Sequence, residues 1–126
     1  MSDPAASAVV ALLSGDLIFG SHLQAALAPG GIAIANAKDA DLLPDSQVVF
    51  VDLNRDADDR LGAISRLRAA NPQRTIVGFC HHGASDLRRR GMEAGASSVI
   101  ANRFLGEAAI RLTQANELAE LLPGDD

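Results

Sequence analysis

Short, fully apolar runs alternate along the chain with stretches whose apolar residues recur at helical spacing. Ala8 to Leu13 is apolar at every position and predicts a strand buried on both faces. Asp16 to Gly31 follows, with Phe19, Leu23 and Leu27 on one helical face and a Pro-Gly-Gly stop. Gly31 to Asn36 predicts the second strand, and Ala37 to Ser46 has room for only one or two helical turns. Gln47 to Leu53, rich in β-branched residues, predicts the third strand. Asp56 to Pro72 places Leu61, Ile64 and Leu67 on one side of a helix that Asn71-Pro72 ends. Arg74 to Cys80 predicts strand four, and Gly83 to Ala96 a helix capped by Ser85 or Asp86. Ser98 to Asn102 predicts strand five, and Phe104 to Leu122 the last helix.

Repeated strand–helix alternation implies parallel strands joined by right-handed crossovers, with helices on both sheet faces. Five strands in so short a chain favour a flavodoxin-like three-layer α/β sandwich of order 2-1-3-4-5, with a shortened second helix. Its switch in strand order lies between strands one and three, and Asp52 falls at the carboxyl end of strand three. The expected organisation is a single domain over 8–122, with loose ends at 1–7 and 123–126.

Composition narrows the function classes. The chain has 126 residues, 48% of them apolar, enough for a core without staples. Four Phe and no Trp or Tyr leave that core to aliphatic packing. A net charge of −5 argues against a general nucleic-acid surface. No apolar run approaches the ~20 residues of a membrane span. The single cysteine, Cys80, excludes an intrachain disulfide and fits a reducing cytoplasm. The first residues lack the basic and apolar regions of a signal peptide, so a soluble cytoplasmic protein is expected.

The stretches "VVFVDLN" and "RRGMEAGASSVIANRF" carry a family resemblance. From about Val9 to Leu122 the chain resembles the receiver domain of bacterial response regulators. On that resemblance Asp52 matches the phosphoacceptor, Ala94-Gly95-Ala96 the AGA turn, and Phe104 the Phe that follows strand five. Other positions depart from the pattern. Receivers carry two adjacent acids after strand one to hold Mg²⁺; here stand Ser14-Gly15, with Asp16 one place later. Cys80 replaces the Thr or Ser after strand four, Asn102 the Lys after strand five, Arg103 the following Pro, and Val99 the aromatic switch residue.

Phosphoryl transfer needs positive countercharge and positioning, and losing one such contact typically slows it ~100-fold or more. With several contacts gone together, phosphorylation of Asp52 is not expected. No resident cofactor is implied; Asp16 with Asp52 would hold Mg²⁺ weakly at best. The segments "DLIF", "VDL", "GFCHH" and "NRF" are also similar to those of short stand-alone receiver-like proteins of bacteria. That resemblance implies a site of Asp16, Asp52, His82 and Arg103.

Each candidate has a plainer structural role. Asp16 is either a site carboxylate or the N-cap of the first helix, with Ser14 as rival cap. Asp52 is expected to pair with the Arg103 fork; otherwise it is a strand-end carboxylate accepting loop N–H bonds. Cys80, His81 and His82, with His22 and Asp16, suggest zinc. Consecutive residues on an extended chain point to opposite sides, so a metal site is not favoured. Arg88-Arg89-Arg90 reads as a solvated face, and a lone Gly15 after strand one makes no nucleotide fingerprint.

On the last helix Leu105, Ala108, Ala109, Leu112, Ala115 and Ala119 share one side. Ile110, Leu118 and Leu121 collect on the opposite side, which suggests a protein partner and, as a hypothesis, a homodimer. The expected role is a stand-alone, non-catalytic, receiver-like signalling module acting through protein contact. Its rivals are a phosphorylatable receiver using Asp52 and a small-ligand or metal binder at the strand ends.

Overall fold

The computed structural model describes the backbone of residues 7–121 and the side chains of 10–114. The apolar runs form β1 (Ser7–Leu13), β2 (Ile34–Ala37), β3 (Asp45–Asp52), β4 (Thr75–Cys80) and β5 (Ser98–Ala101). The helical segments form α1 (Leu17–Leu27), α2 (Ala57–Ala70), α3 (Ser85–Ala94) and α4 (Leu105–Leu121). All paired strands run parallel, in the order β2-β1-β3-β4-β5, as the strand–helix alternation predicts.

Side-chain alternation along the strands builds two cores, one on each sheet face. Ala11, Leu13, Val49, Val51 and Ile76 pack with Leu61, Ala63 and Ile64 of α2. Val10, Leu12, Val48, Phe50, Val77 and Phe79 point the other way, onto Leu23 and Leu27 of α1 and Leu105 and Ala109 of α4. Strand β3 is buried on both faces from Val48 to Asp52, which is why its sequence reads as a continuous apolar run. The scarce aromatics sit centrally: Phe50 and Phe79 are fully buried, and Phe19 meets Phe79 edge-on with centroids 4.9 Å apart.

Two local expectations need correction, and the short segment before β3 meets its own at the lower bound. Strand β2 starts at Ile34 rather than Gly31, because Ala28–Gly30 coil into a 3₁₀ turn and Gly31 takes a left-handed backbone (φ 72°). The segment before β3 winds no further than one 3₁₀ turn, Ala40–Leu42. Neither Ser85 nor Asp86 caps α3; Ala84 is its N-cap and makes no side-chain cap bond. Asp86 instead holds Arg89 at 2.6 Å, an i,i+3 pair on the helix surface.

The register aligns the carboxyl ends of the central strands. Leu13 lies beside Val51, Asp52 beside Phe79, and Cys80 beside Ala101. The loops leaving β1, β3 and β5 therefore emerge along one edge. Strand β5 also packs tightly on α3: a Cβ added at Gly91 would lie 2.7 Å from Val99 Cγ2. The position that carries a ring in receivers thus holds a small β-branched side chain wedged against glycine.

Phe79→Ala would empty a fully buried site shared by β4 and Phe19. The expected loss is about 3–5 kcal/mol, read as a lower urea midpoint with an unchanged slope.

Candidate functional site

Asp52 ends β3 with only 2% of its surface exposed. A buried carboxylate needs hydrogen bonds, and it receives three from uncharged donors. Ser14 Oγ donates to Oδ2 at 2.7 Å, while Asn54 donates to Oδ1 through its backbone N–H and its Nδ2, each at 2.8 Å. The bond to the backbone of residue i+2 is an Asx-type turn, which folds the chain back over the strand end. Asn54 also reaches across the edge to Asn102, and the two amides exchange bonds of 2.9 and 3.0 Å. A hydrogen-bonded chain, Ser14–Asp52–Asn54–Asn102, with neutral groups flanking the acid, therefore links the loops after β1, β3 and β5.

The rivalry at the start of α1 resolves with both residues employed. Asp16 is the N-cap, accepting from the Ile18 N–H at 2.9 Å through Oδ1. Ser14 Oγ accepts from the Asp16 N–H at 3.0 Å while donating to Asp52. One hydroxyl thus orders the turn and satisfies the acid.

A guanidinium lies beneath this edge. Arg60, in the first turn of α2, is 6% exposed and donates only to main-chain carbonyls. Nη1 bonds Leu13 O at 3.0 Å and approaches Asp52 O at 3.5 Å, and Nη2 reaches Lys38 O at 3.4 Å. One planar fork so ties together the ends of β1 and β3 and the segment after β2. Its Nε is buried without a partner among the described residues. Asp56, which precedes α2, takes a left-handed backbone (φ 53°, ψ 43°), a conformation Asp tolerates better than most residues.

Asp16, Asp52, Arg55, Asp56 and Arg60 line a cleft of about 620 Å³, with Gly15 and the exposed Leu17 and Ile18 completing its wall. Sequence reasoning missed Ser14, Asn54 and Arg60 as the groups that hold Asp52 and its strand. A signal existed for Arg60: it lies four residues before Ile64 and seven before Leu67, on the inward stripe of α2. Asn54 stood at the i+2 position where an acid at a strand end finds a turn partner.

The expected ion pair between Asp52 and Arg103 is not formed. Asn102–Phe104 make a 3₁₀ turn, in which successive side chains diverge by a third of a revolution. Asn102 faces Asn54, and Arg103 is exposed with its guanidinium 4.8 Å from the Phe104 ring centre. His82 is also exposed, in the turn after β4, and it is its carbonyl that accepts from Arg88 at 3.1 Å. Cys80 is fully buried and faces the α2 and α3 core. Burial pushes its thiol above the usual range, with Arg88 pulling partly the other way. Of the six residues expected to line one site, Asp16 and Asp52 share the cleft, and Asn102 joins them through Asn54.

The Mg²⁺ that the receiver resemblance implies does not suit these residues. Asp16 is turned to cap α1, and Oδ2 of Asp52 is taken by the Ser14 hydroxyl. Among the described residues, no three His, Cys, Asp or Glu side chains gather to hold a metal ion. No described helix is long and apolar enough to cross a membrane.

Comparison with solved structures places this geometry on a known scaffold. The chain is similar to a response regulator from Thermotoga maritima, at 22% identity and a TM-score of 0.71, covering 86% of this chain and 96% of that one. It is similar to the receiver domain of NtrX from Brucella abortus, at 18% identity and a TM-score of 0.71, covering 84% and 95%. A CheY-like protein (tadZ) from Pseudomonas aeruginosa PAO1 matches at 19% identity and a TM-score of 0.72, covering 84% and 96%. Against a longer NtrX chain the match spans 95% of this chain and 32% of that one. No family model and no curated protein matches the sequence. The chain has the receiver fold.

Two measurements probe the site. Ser14→Ala should lower stability by about 1–3 kcal/mol, because Asp52 Oδ2 loses its buried donor. The loss should shrink in an Asp52→Asn background, since the two residues share one bond. Cys80 should resist iodoacetamide in the native protein at mildly alkaline pH and react at once in denaturant, as intact mass would reveal. Its raised thiol keeps the folded state fully favoured below the usual thiol range. That contribution falls as pH climbs through the range, because the unfolded chain then loses the proton first.

Proposed function

We propose that this chain is a receiver-like signalling module that works by protein contact and does not accept phosphate at Asp52. One observation carries the reading: both oxygens of Asp52 are held by neutral donors where a phosphoryl group would need cations. In-line transfer needs cations around the reacting oxygens, whereas Ser14 and Asn54 offer only neutral donors, and Asn102 brings an amide where receivers bring an ammonium. Arg60 is the nearest buried cation to the acid's main chain, yet its fork is spent on three peptide carbonyls. The scaffold thus keeps the receiver's shape while its charge pattern supports no transfer chemistry. A reducing cytoplasm suits the buried, unpaired thiol of Cys80.

A second reading draws on the cleft. Exposed Arg55 stands there among Asp16 and Asp56, so a small ligand bearing both charges would find partners. Native mass spectrometry of freshly purified protein tests this by the presence of a bound species.

Incubation with Mg²⁺ and acetyl phosphate, read by intact mass, decides the main proposal. The expected spectrum is unmodified protein. A stoichiometric phosphate adduct that Asp52→Asn abolishes would overturn it.

A further inference from the structure

The cleft at the carboxyl edge holds charges that the protein leaves unused. Arg89, Arg90 and Arg111 each grip a carboxylate on the helix surfaces. Arg55 and Asp56 line the cleft, are exposed, and make no side-chain bond among the described residues. Asp16 spends Oδ1 on the Ile18 N–H and keeps Oδ2 without a donor. Deeper in the same cleft lie Asp52 and Arg60, 2% and 6% exposed. Both oxygens of Asp52 are taken, but Nε of Arg60 is buried without a partner. The lip is apolar. Leu17, at 86%, is the most exposed large apolar side chain described, and Ile18 beside it is 62% exposed.

These features select among ligands. A bare anion would face the carboxylates of Asp16 and Asp56, and a bare cation would meet Arg55 and the charge of Arg60. None of the lining residues is aromatic, so a nucleobase finds no ring to stack on. A molecule carrying both charges satisfies both sets, and an aliphatic group on it would gain cover from the lip. We infer that the cleft binds a small zwitterion with an aliphatic side chain, the chemistry of a leucine-like α-amino acid. Its carboxylate takes the planar fork of Arg55 on the side of Arg60, its ammonium meets Asp16 Oδ2 and Asp56, and its side chain lies along Leu17 and Ile18. The cleft volume of about 620 Å³ leaves ample room for such a molecule. This rests on the small-ligand reading of the cleft and names the ligand's chemistry. The outward face of α4 gives no comparable instruction: Ile110 is 38% exposed, Leu118 and Leu121 lie outside the described side chains, and nothing shows what covers it.

Titration of the nitrogen-15-labelled full chain with leucine, followed by amide NMR, tests it. Leucine at millimolar concentration should shift the amides of Gly15, Leu17, Ile18, Arg55 and Asp56 and spare those of α3. Isopentylamine, which lacks the carboxylate, and 4-methylpentanoate, which lacks the ammonium, should each bind about tenfold more weakly or worse. Arg55→Ala and Asp56→Asn should weaken leucine to a similar degree. Both side chains are exposed, and Asn keeps the left-handed backbone accessible, so each variant retains the fold. Leu17→Ser should weaken leucine and leave glycine unaffected. A spectrum that leucine does not move overturns the inference, as do analogues that match leucine or charge variants that bind it normally. A bound species seen by native mass spectrometry that leucine fails to displace also overturns it, while the small-ligand reading stands. Protein that carries no bound species and ignores leucine strikes both.

Discussion

Asp52 is a carboxylate sunk at the end of the central strand, and the rest of the edge is arranged to keep it there without a cation. Removing an ionised group from water costs several kcal/mol unless hydrogen bonds replace its hydration. Three bonds from Ser14 and Asn54 meet that demand for both oxygens. Each donor is itself fixed by a second bond: Ser14 accepts from the Asp16 N–H, and Asn54 exchanges amide bonds with Asn102. The acid therefore organises the loops after β1, β3 and β5. Withdrawing Ser14 would leave the buried Oδ2 of Asp52 without its donor.

Arg60 performs the matching task on the main chain. Parallel strands end in carbonyls that no further strand satisfies, and helices packed over the edge keep water from reaching all of them. A buried guanidinium solves this by offering several donors in one plane. A buried acid and a buried guanidinium thus sit at the ends of β1 and β3, each hydrogen-bonded by neutral groups. Where the receivers this chain resembles carry a lysine, Asn102 bonds Asn54 through its amide instead.

The fold was legible because its signals are long and repeated. Two-sided apolar runs imposed strands, Pro and Gly marked the stops, and alternation fixed the parallel order. Boundaries slipped where short turns compete: Ala28–Gly30 tightened into a 3₁₀ turn and delayed β2 to Ile34. Asp52 was legible from its place at the switch in strand order. Its partners were not, because loop torsions select among neighbours that differ by one residue. Asn102 and Arg103 are adjacent, and a single 3₁₀ turn sends one inward and the other over Phe104. Arg60 was hidden by its charge, since a helical Arg is ordinarily solvated and only its phase with Ile64 betrayed a buried site.

The outcome bears on what the edge can do as a surface. A receiver-type switch needs a group whose interactions change when charge arrives, and an acceptor free to take that charge. Here both acceptor oxygens already take hydrogen bonds from neutral donors, the residue after strand five is a neutral amide already paired, and Val99 is wedged against Gly91 where a ring would swing. These three substitutions reinforce one another. Restoring a lysine at Asn102 alone would break the amide pair and leave Asn54 reaching for a partner, while Ser14 would still cover the acid. Reversal therefore requires several coordinated changes at the ends of β1, β3 and β5. On the proposed reading, a site bonded in this way presents a constant shape to whatever docks on the chain, and regulation would act through association rather than through the chemistry of Asp52.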